Sequence, residues 1–425
     1  MKLRNSLIYL IIFVFSSLIA FGSYPDGKGY KEVTELSIRG GVPNFFMKGL
    51  KGDSVKVAYL GGSITAQNGW RVYSLEWFKH RFPKASFTAI NAAIGGTGST
   101  FGVFRLNDQV MKFHPDLVFV EFAVNDGSAP SEKIIRSMEG IVRQIWQASP
   151  RTDICFIYTI AKNFLETELN GNLPASAETM EKVADKYNIP SINFGKEVCS
   201  LVHNKQLIFN GDAREINGIE VFSPHGVHPY PETGHMIYQN VLKRSFEDMV
   251  AKKPGHIKKH ILHKPLAPDY FAHTQMIDFT NAKLSPKLEI ISIKDSPEFS
   301  GFGRYLKEIG KAVPGETITV RFKGRAIGAY DIIGPNAGRV EVNIDGSVKD
   351  TINRFDAYCT YNRMSYFLID HLENKNHVVI FRVLSEPFNK TQILAKRGNI
   401  IKNPDKYKEY NWYVGKIIVD GSILH

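Results

Sequence analysis

Between residues 55 and 250 the chain alternates short apolar runs with longer amphipathic stretches, and this alternation restricts its fold more than any other feature. Residues 55–60 (Val-Lys-Val-Ala-Tyr-Leu) read as a buried strand, 70–82 has helical spacing, and 86–92 is a second strand. A third strand, 117–122, follows the turn signal His114-Pro115-Asp116, and 131–147 reads as a helix that Pro150 stops. Residues 153–160 form a fourth strand, 175–186 a helix, 191–194 a short fifth strand and 233–250 a final helix. Strand then helix, repeated over short connections, builds a parallel sheet covered on both faces. The expectation is a three-layer α/β/α sandwich with a five-stranded parallel sheet.

Beyond Lys252 the texture changes. Residues 251–268 carry five lysines and three prolines, which reads as a linker. Alternating strand candidates follow at 288–293, 317–322, 339–344, 364–369, 378–384 and 413–419, separated by Gly, Asn and Asp turns. Evenly spaced strands without helices predict a β-sandwich or jelly roll. The expected organisation is a signal peptide (1–22), an N-terminal extension (23–50), a catalytic domain (51–252), a linker (253–268) and the β-domain (269–425). Hydrophobic residues at 43% and charged residues at 22% exclude a chain disordered throughout. From His256 onward 25 Lys and Arg face 18 Asp and Glu, so this half holds +7 of the net +11 and favours anionic partners. Cys155, Cys199 and Cys359 include no C-x-x-C pair and cannot make a disulfide framework.

The chain opens with Lys2 and Arg4, continues through an apolar run over 7–21 and reaches small residues at Ala20 and Gly22. That is a signal-peptide layout and predicts an exported protein, periplasmic, cell-surface or extracellular, with no stable membrane anchor after cleavage. The competing reading is an anchor, since the run approaches the roughly 20 residues that span a bilayer.

Chemistry gathers at the strand ends. The first strand runs into Leu60-Gly61-Gly62-Ser63-Ile64-Thr65, the second into Asn91-Ala92-Ala93-Ile94-Gly95-Gly96-Thr97 and the third into Phe122-Ala123-Val124-Asn125-Asp126. Open α/β sheets place their sites at these carboxyl ends. Far downstream, Ser223-Pro224-His225-Gly226-Val227-His228-Pro229 puts a histidine in the loop before the last helix. A hydroxyl, a glycine N–H, an amide and an imidazole are what ester hydrolysis requires. Ser63 would attack, His228 would take its proton, and the N–H groups of Ser63 and Gly96 with the Asn125 amide would hold the oxyanion, each donor worth about 3–4 kcal/mol. No metal or organic cofactor is needed for this chemistry. Ser63 standing alone would read as a helix N-cap, Gly96 as a turn glycine and Asn125 as a loop-tying amide.

These blocks resemble the SGNH (GDSL-like) hydrolases. Gly61-Gly62-Ser63-Ile64-Thr65 is similar to that family's first block, Gly95-Gly96 to the second, Val124-Asn125-Asp126 to the third and His225-Gly226-Val227-His228-Pro229 to the last. The resemblance covers roughly residues 50–250 and implies a three-layer α/β/α fold with esterase or lipase-type activity, often carbohydrate deacetylation. Two departures stand out: Gly62 replaces the usual Asp before the serine, and His225 stands where the family's Asp-x-x-His block has its acid. An acid orients the imidazole and stabilises the imidazolium. In one serine protease its loss costs about 3 × 10⁴ in rate, against about 2 × 10⁶ for the serine or the histidine. A Ser–His dyad is therefore slower but still an enzyme. Candidate substitute or orienting groups are Glu121, Asp126, Glu232 and His225 itself. Against them, Glu121 could pair away from the site, Asp126 could close an Asx-turn, and Glu232 fits a helix N-terminus.

His225, His228 and His235 raise a metal reading, but Gly226 and Pro229 exclude a regular helix and no carboxylate joins them, so no metal is expected and His235 reads as an ordinary helix residue. Trp70 could stack a sugar, Arg71 could clamp a carboxylate, and Tyr230 could line the same pocket; core or surface roles compete for each. The lysine-rich linker reads as a solvated spacer and not as a nucleic-acid site. The chain is thus expected to be an exported serine esterase acting on an acylated, most plausibly acetylated, carbohydrate, with an anionic polysaccharide as a further candidate partner. The alternatives are a glycan-binding protein on a decayed esterase scaffold, or an acyltransferase or glycosidase using the same rim.

Overall fold

The structure is a computed structural model that describes residues 31–252 and 256–424, so the signal-peptide reading of 1–22 lies outside the described residues. Its N-terminal half is built on a six-stranded sheet. The strands are β1 (Leu36–Ser37), β2 (Ser54–Gly61), β3 (Ser86–Ala93), β4 (Leu117–Glu121), β5 (Asp153–Tyr158) and β6 (Ser191–Asn193), in the order β1-β6-β5-β4-β2-β3. The five expected strands are parallel, and β1 adds an antiparallel edge through Leu36 opposite Ile192. Every residue of β4 and β5 is buried, which is why these segments read as unbroken apolar runs. Residues 33–51 also belong to this unit: helix α1 (Pro43–Lys51) buries Phe45 and Phe46, and the Phe45 N–H donates to Asp153 Oδ2 at 2.8 Å.

Helices cover both faces. On one side α2 (Ser63–Ala66) leads into α3 (Trp70–Arg81), which packs beside the final helix Gly234–Ala251 around Phe45, Trp70, Phe78, Phe119 and Phe246. On the other lie α4 (Ser99–Phe104) and the helices Ser131–Ala148 and Ala175–Tyr187. Two further helices, Lys162–Leu169 and Gly195–His203, and a small sheet of Leu207–Asn210, Ile219–Ser223 and Glu215–Ile216 lie outside the expected elements.

The second half is all-β, with ten antiparallel strands in one hydrogen-bonded network. Its spine is the strand Thr317–Ile333, whose buried and exposed residues alternate only as far as Arg325. From Ala326 onward every residue is buried, so the alternation that marks a strand in the sequence disappears. The reason is the domain interface. Tyr330, Ile332, Met364 and Tyr413 share one buried cluster with Phe101, Phe104 and Ile141 of the sheet-and-helix domain. The Phe101 ring lies 4.6 Å from that of Tyr330 and 4.8 Å from that of Tyr366. Burying an aromatic of this size contributes roughly 1.5–3 kcal/mol.

The linker differs from a free spacer. Lys252, Lys258, Lys259 and Lys264 are exposed, as a solvated segment requires, yet the described backbone is strapped down. The His260 ring stacks on Trp146 at 4.5 Å and its Nε2 lies 2.8 Å from Asp153 Oδ1. The N–H groups of Leu266 and Ala267 both donate to Glu139 at 2.7 Å. Arg136, buried on the helix Ser131–Ala148, then pairs with Asp269 at 2.9 Å and with Asp370 of the β-domain at 3.1 Å. A chain ending at residue 268 would expose Phe101 and Phe104 and is expected to aggregate. Soluble yield and size-exclusion chromatography check this, and a monodisperse, soluble truncated domain would contradict it.

Candidate active site

The site is assembled by strand register. Gly61 at the end of β2 pairs with Ala93 of β3 and with Glu121 of β4, so the three strands deliver their following loops to one place. Ser63 opens α2, with Gly62 as its N-cap. Its Oγ does not cap the helix; it lies 2.8 Å from His228 Nε2, a contact across 165 positions of sequence. A Cβ placed on Gly95 would stand 3.5 Å from Ser63 Cβ, so the glycine loop runs beside the hydroxyl. Gly96 has φ +72°, the left-handed region that glycine enters freely. A Cβ on Gly62 would come within 1.8 Å of Asn125 Oδ1, so only glycine lets the amide lie against the nucleophile turn. Among the described residues the Asn125 side-chain amide and the Gly96 N–H donate to no protein acceptor. The structure thus brings together Ser63, Gly96, Asn125 and His228.

The suggested acids fall elsewhere. Glu121 lies fully buried beneath the turn, where it accepts the hydroxyls of Thr65 (2.7 Å) and Thr159 (2.8 Å) and lies near the N–H groups of Gly62 and Thr65. Burial raises its pKa while these four donors oppose the shift. It fixes the shape of the nucleophile turn and makes no contact with His228. Asp126 accepts the Ser99 N–H at 3.1 Å and so holds the start of α4; burial pushes its pKa up to about 6. Glu232 is 54% exposed and pairs with Arg214 at 3.2 Å. His225 is exposed, and among the described residues it bonds only through its backbone N–H, to Ser223 Oγ. Among the described residues no carboxylate bonds to His228.

The pocket-lining readings of Trp70 and Arg71 need correction. Trp70 is 0% exposed, wedged against Tyr59, Phe119 and Phe194, and offers no face to a sugar. Arg71 is 8% exposed and donates to the Thr65 carbonyl at 3.1 Å and to Asn68 Oδ1 at 3.2 Å, holding the α2–α3 connection. The Tyr230 hydroxyl donates to the Gly211 carbonyl at 3.1 Å. His235 is more than an ordinary helix residue: it is fully buried, Nδ1 accepts the Trp70 N–H at 3.2 Å, and Nε2 lies 3.2 Å from Gln67 Oε1. Burial drops its pKa to about 4. With both nitrogens so engaged, His235 anchors the start of α3 and does not converge with His225 and His228.

Residues 59–233 match the model of the GDSL-like lipase/acylhydrolase family. The match falls within the sheet-and-helix domain. No curated protein matches the chain. Among solved structures it is similar to a two-domain esterase active on acetylated mannans, at 20% identity and TM-score 0.71 over 92% of this chain and 98% of that one. The structure of such an esterase co-crystallised with mannopentaose gives 20% identity and TM-score 0.67, covering 92% of this chain and all of that one (100%). At this identity the likeness is one of fold, and it spans both domains.

Burial, with the neighbouring His225 adding to it, lowers the His228 pKa from its ordinary 6.5. A base works when neutral, so its active form persists to lower pH than an exposed histidine would allow. The acid limb of kcat/KM against pH is therefore expected to have its midpoint below 6.5. A midpoint at or above that value would show that some carboxylate supports the imidazolium after all.

Proposed function

We propose that the protein is a serine esterase that removes acyl groups, most plausibly acetyl, from a polysaccharide or oligosaccharide. The observation that carries this reading is the 2.8 Å contact of His228 Nε2 with Ser63 Oγ beside the unengaged donors of Gly96 and Asn125. In this reading His228 takes the Ser63 proton as Oγ attacks the ester carbonyl. The N–H groups of Ser63 and Gly96 and the Asn125 amide receive the oxyanion, and His228 returns the proton to the leaving sugar hydroxyl. Water then repeats the sequence on the acyl-enzyme. The pair acts as a dyad, with the imidazolium stabilised less than in a triad. The two-domain likeness to an esterase active on acetylated mannans supports a glycan ester as substrate. The leader layout at Met1 supports export to where such polymers lie, and the +7 of the β-domain half supports adhesion to an anionic one.

The histidine at position 225, where the family has its acid, favours a second reading, glycan binding without turnover. Hydrolysis of p-nitrophenyl acetate and of acetylated mannan and xylan by the wild type and by Ser63→Ala separates the two. The esterase reading expects turnover that falls at least about 1000-fold in the alanine variant. Glycan binding with no turnover of any ester would establish the second reading, and activity that survives Ser63→Ala would remove the proposed mechanism.

A further inference from the structure

One buried charge near the site has no counter-charge. Arg105 follows α4 and is 0% exposed. Its Nη2 donates to the Gly61 carbonyl at 3.0 Å, and its Nη1 donates to the Ala92 carbonyl and to Gln109 Oε1 at 2.9 Å. Gly61 precedes Ser63 by two residues and Ala92 precedes Gly96 by four, so the guanidinium sits under the roots of both segments that carry backbone donors to the site. No Asp or Glu among the described residues forms an ion pair with it, and its Nε has no hydrogen-bond partner. The rings of Phe101 and Phe122 lie 5.8 Å and 5.9 Å from the guanidinium carbon.

The β-domain completes this enclosure. Tyr330, whose ring packs at a tilt against Phe101, lies near Arg105 with a buried hydroxyl that has no partner among the described residues. Tyr305 and Arg304 are the other titratable groups that act on it, and Arg304 reaches the same strand end through the Asn91 carbonyl. Burial lowers the Arg105 pKa to about 10, so the group is still a cation at neutral pH. An unpaired buried charge is costly, and two strand-end carbonyls could be satisfied by neutral donors. What a neutral donor cannot supply is a fixed positive potential where negative charge develops.

Resting on the esterase reading above, we propose that Arg105 is a positioning residue of the reaction. It ties the ends of β2 and β3 together and holds an unneutralised charge beneath the oxyanion donors, favouring the tetrahedral intermediate over the bound ester. Because that charge acts on the transition state and not on the ground state, its removal lowers kcat and spares KM. The β-domain contributes by keeping water away from it.

The test uses the full chain with p-nitrophenyl acetate, comparing the wild type, Arg105→Lys and Arg105→Met, with thermal melting measured for each. The expected result is a kcat lower by about 100-fold in Arg105→Met with KM changed less than about twofold, while Arg105→Lys retains activity within about tenfold of wild type near pH 7. A buried lysine loses its proton more readily than arginine, so Arg105→Lys should also show a basic limb in kcat between about pH 8 and 9, below the pH at which Arg105 itself loses its proton. If Arg105→Met does not fold, that limb decides alone: a flat Arg105→Lys profile over the range overturns the proposal. A folded Arg105→Met with wild-type kcat overturns it too, as do equal losses in both variants that track only their melting temperatures. An inactive wild type would sink the esterase reading and this inference together, whereas an active wild type with an equally active Arg105→Met sinks this inference alone.

Discussion

The site depends on one register: Gly61 of β2 opposite both Ala93 of β3 and Glu121 of β4. Three loops that share no sequence neighbourhood then leave the sheet at one level. Ser63, Gly96 and Asn125 follow from that level by a few residues each. A slip of one residue would exchange the β2 side chains between the two helix layers and carry Ser63 away from the glycine loop. The continuous burial of β4 and β5 makes such a slip expensive, so the apolar runs that hold the sheet also fix the geometry of the site.

Two buried charged side chains brace this edge from opposite layers. Glu121 gathers the Thr65 and Thr159 hydroxyls under the Ser63 turn, and Arg105 gathers two strand-end carbonyls under the glycine loop. Neither touches His228, whose imidazole relies on Ser63 and on its own burial. The polar organisation is thus concentrated around Ser63 and the glycine loop, and His228 stands without a carboxylate partner among the described residues. The second domain belongs to the same arrangement. It buries α4, which begins at the Ser99 N–H held by Asp126 and runs directly into Arg105.

Much of this was legible in the sequence. Strands β2 to β6 were placed within about two residues because parallel strands buried on both faces leave short, unbroken apolar runs. The serine, glycine, asparagine and histidine were legible because each stands in a small-residue or loop context at a strand end. Residue type alone misjudged direction, however. Trp70 and Arg71 follow the nucleophile turn closely in sequence, yet α3 turns both inward. The strand Thr317–Ile333 was read to only a third of its length because its second half is covered on both sides and loses alternation. Arg105 went unread, although a lone charge within Phe101-Gly102-Val103-Phe104-Arg105-Leu106 is a signal for a buried cation. His235 carried no such mark, since its role comes from the Trp70 N–H and Gln67, which are 165 and 168 positions away.

The central claim is that Ser63 is a nucleophile activated by His228 without an acid. The most direct measurement is covalent: treat the full chain with an activated alkyl phosphonate ester and locate the adduct by peptide mass spectrometry. The account predicts a single adduct on Ser63, lost in Ser63→Ala and formed far more slowly in His228→Ala. Modification at another residue, or labelling of Ser63 at the same rate without His228, would contradict it.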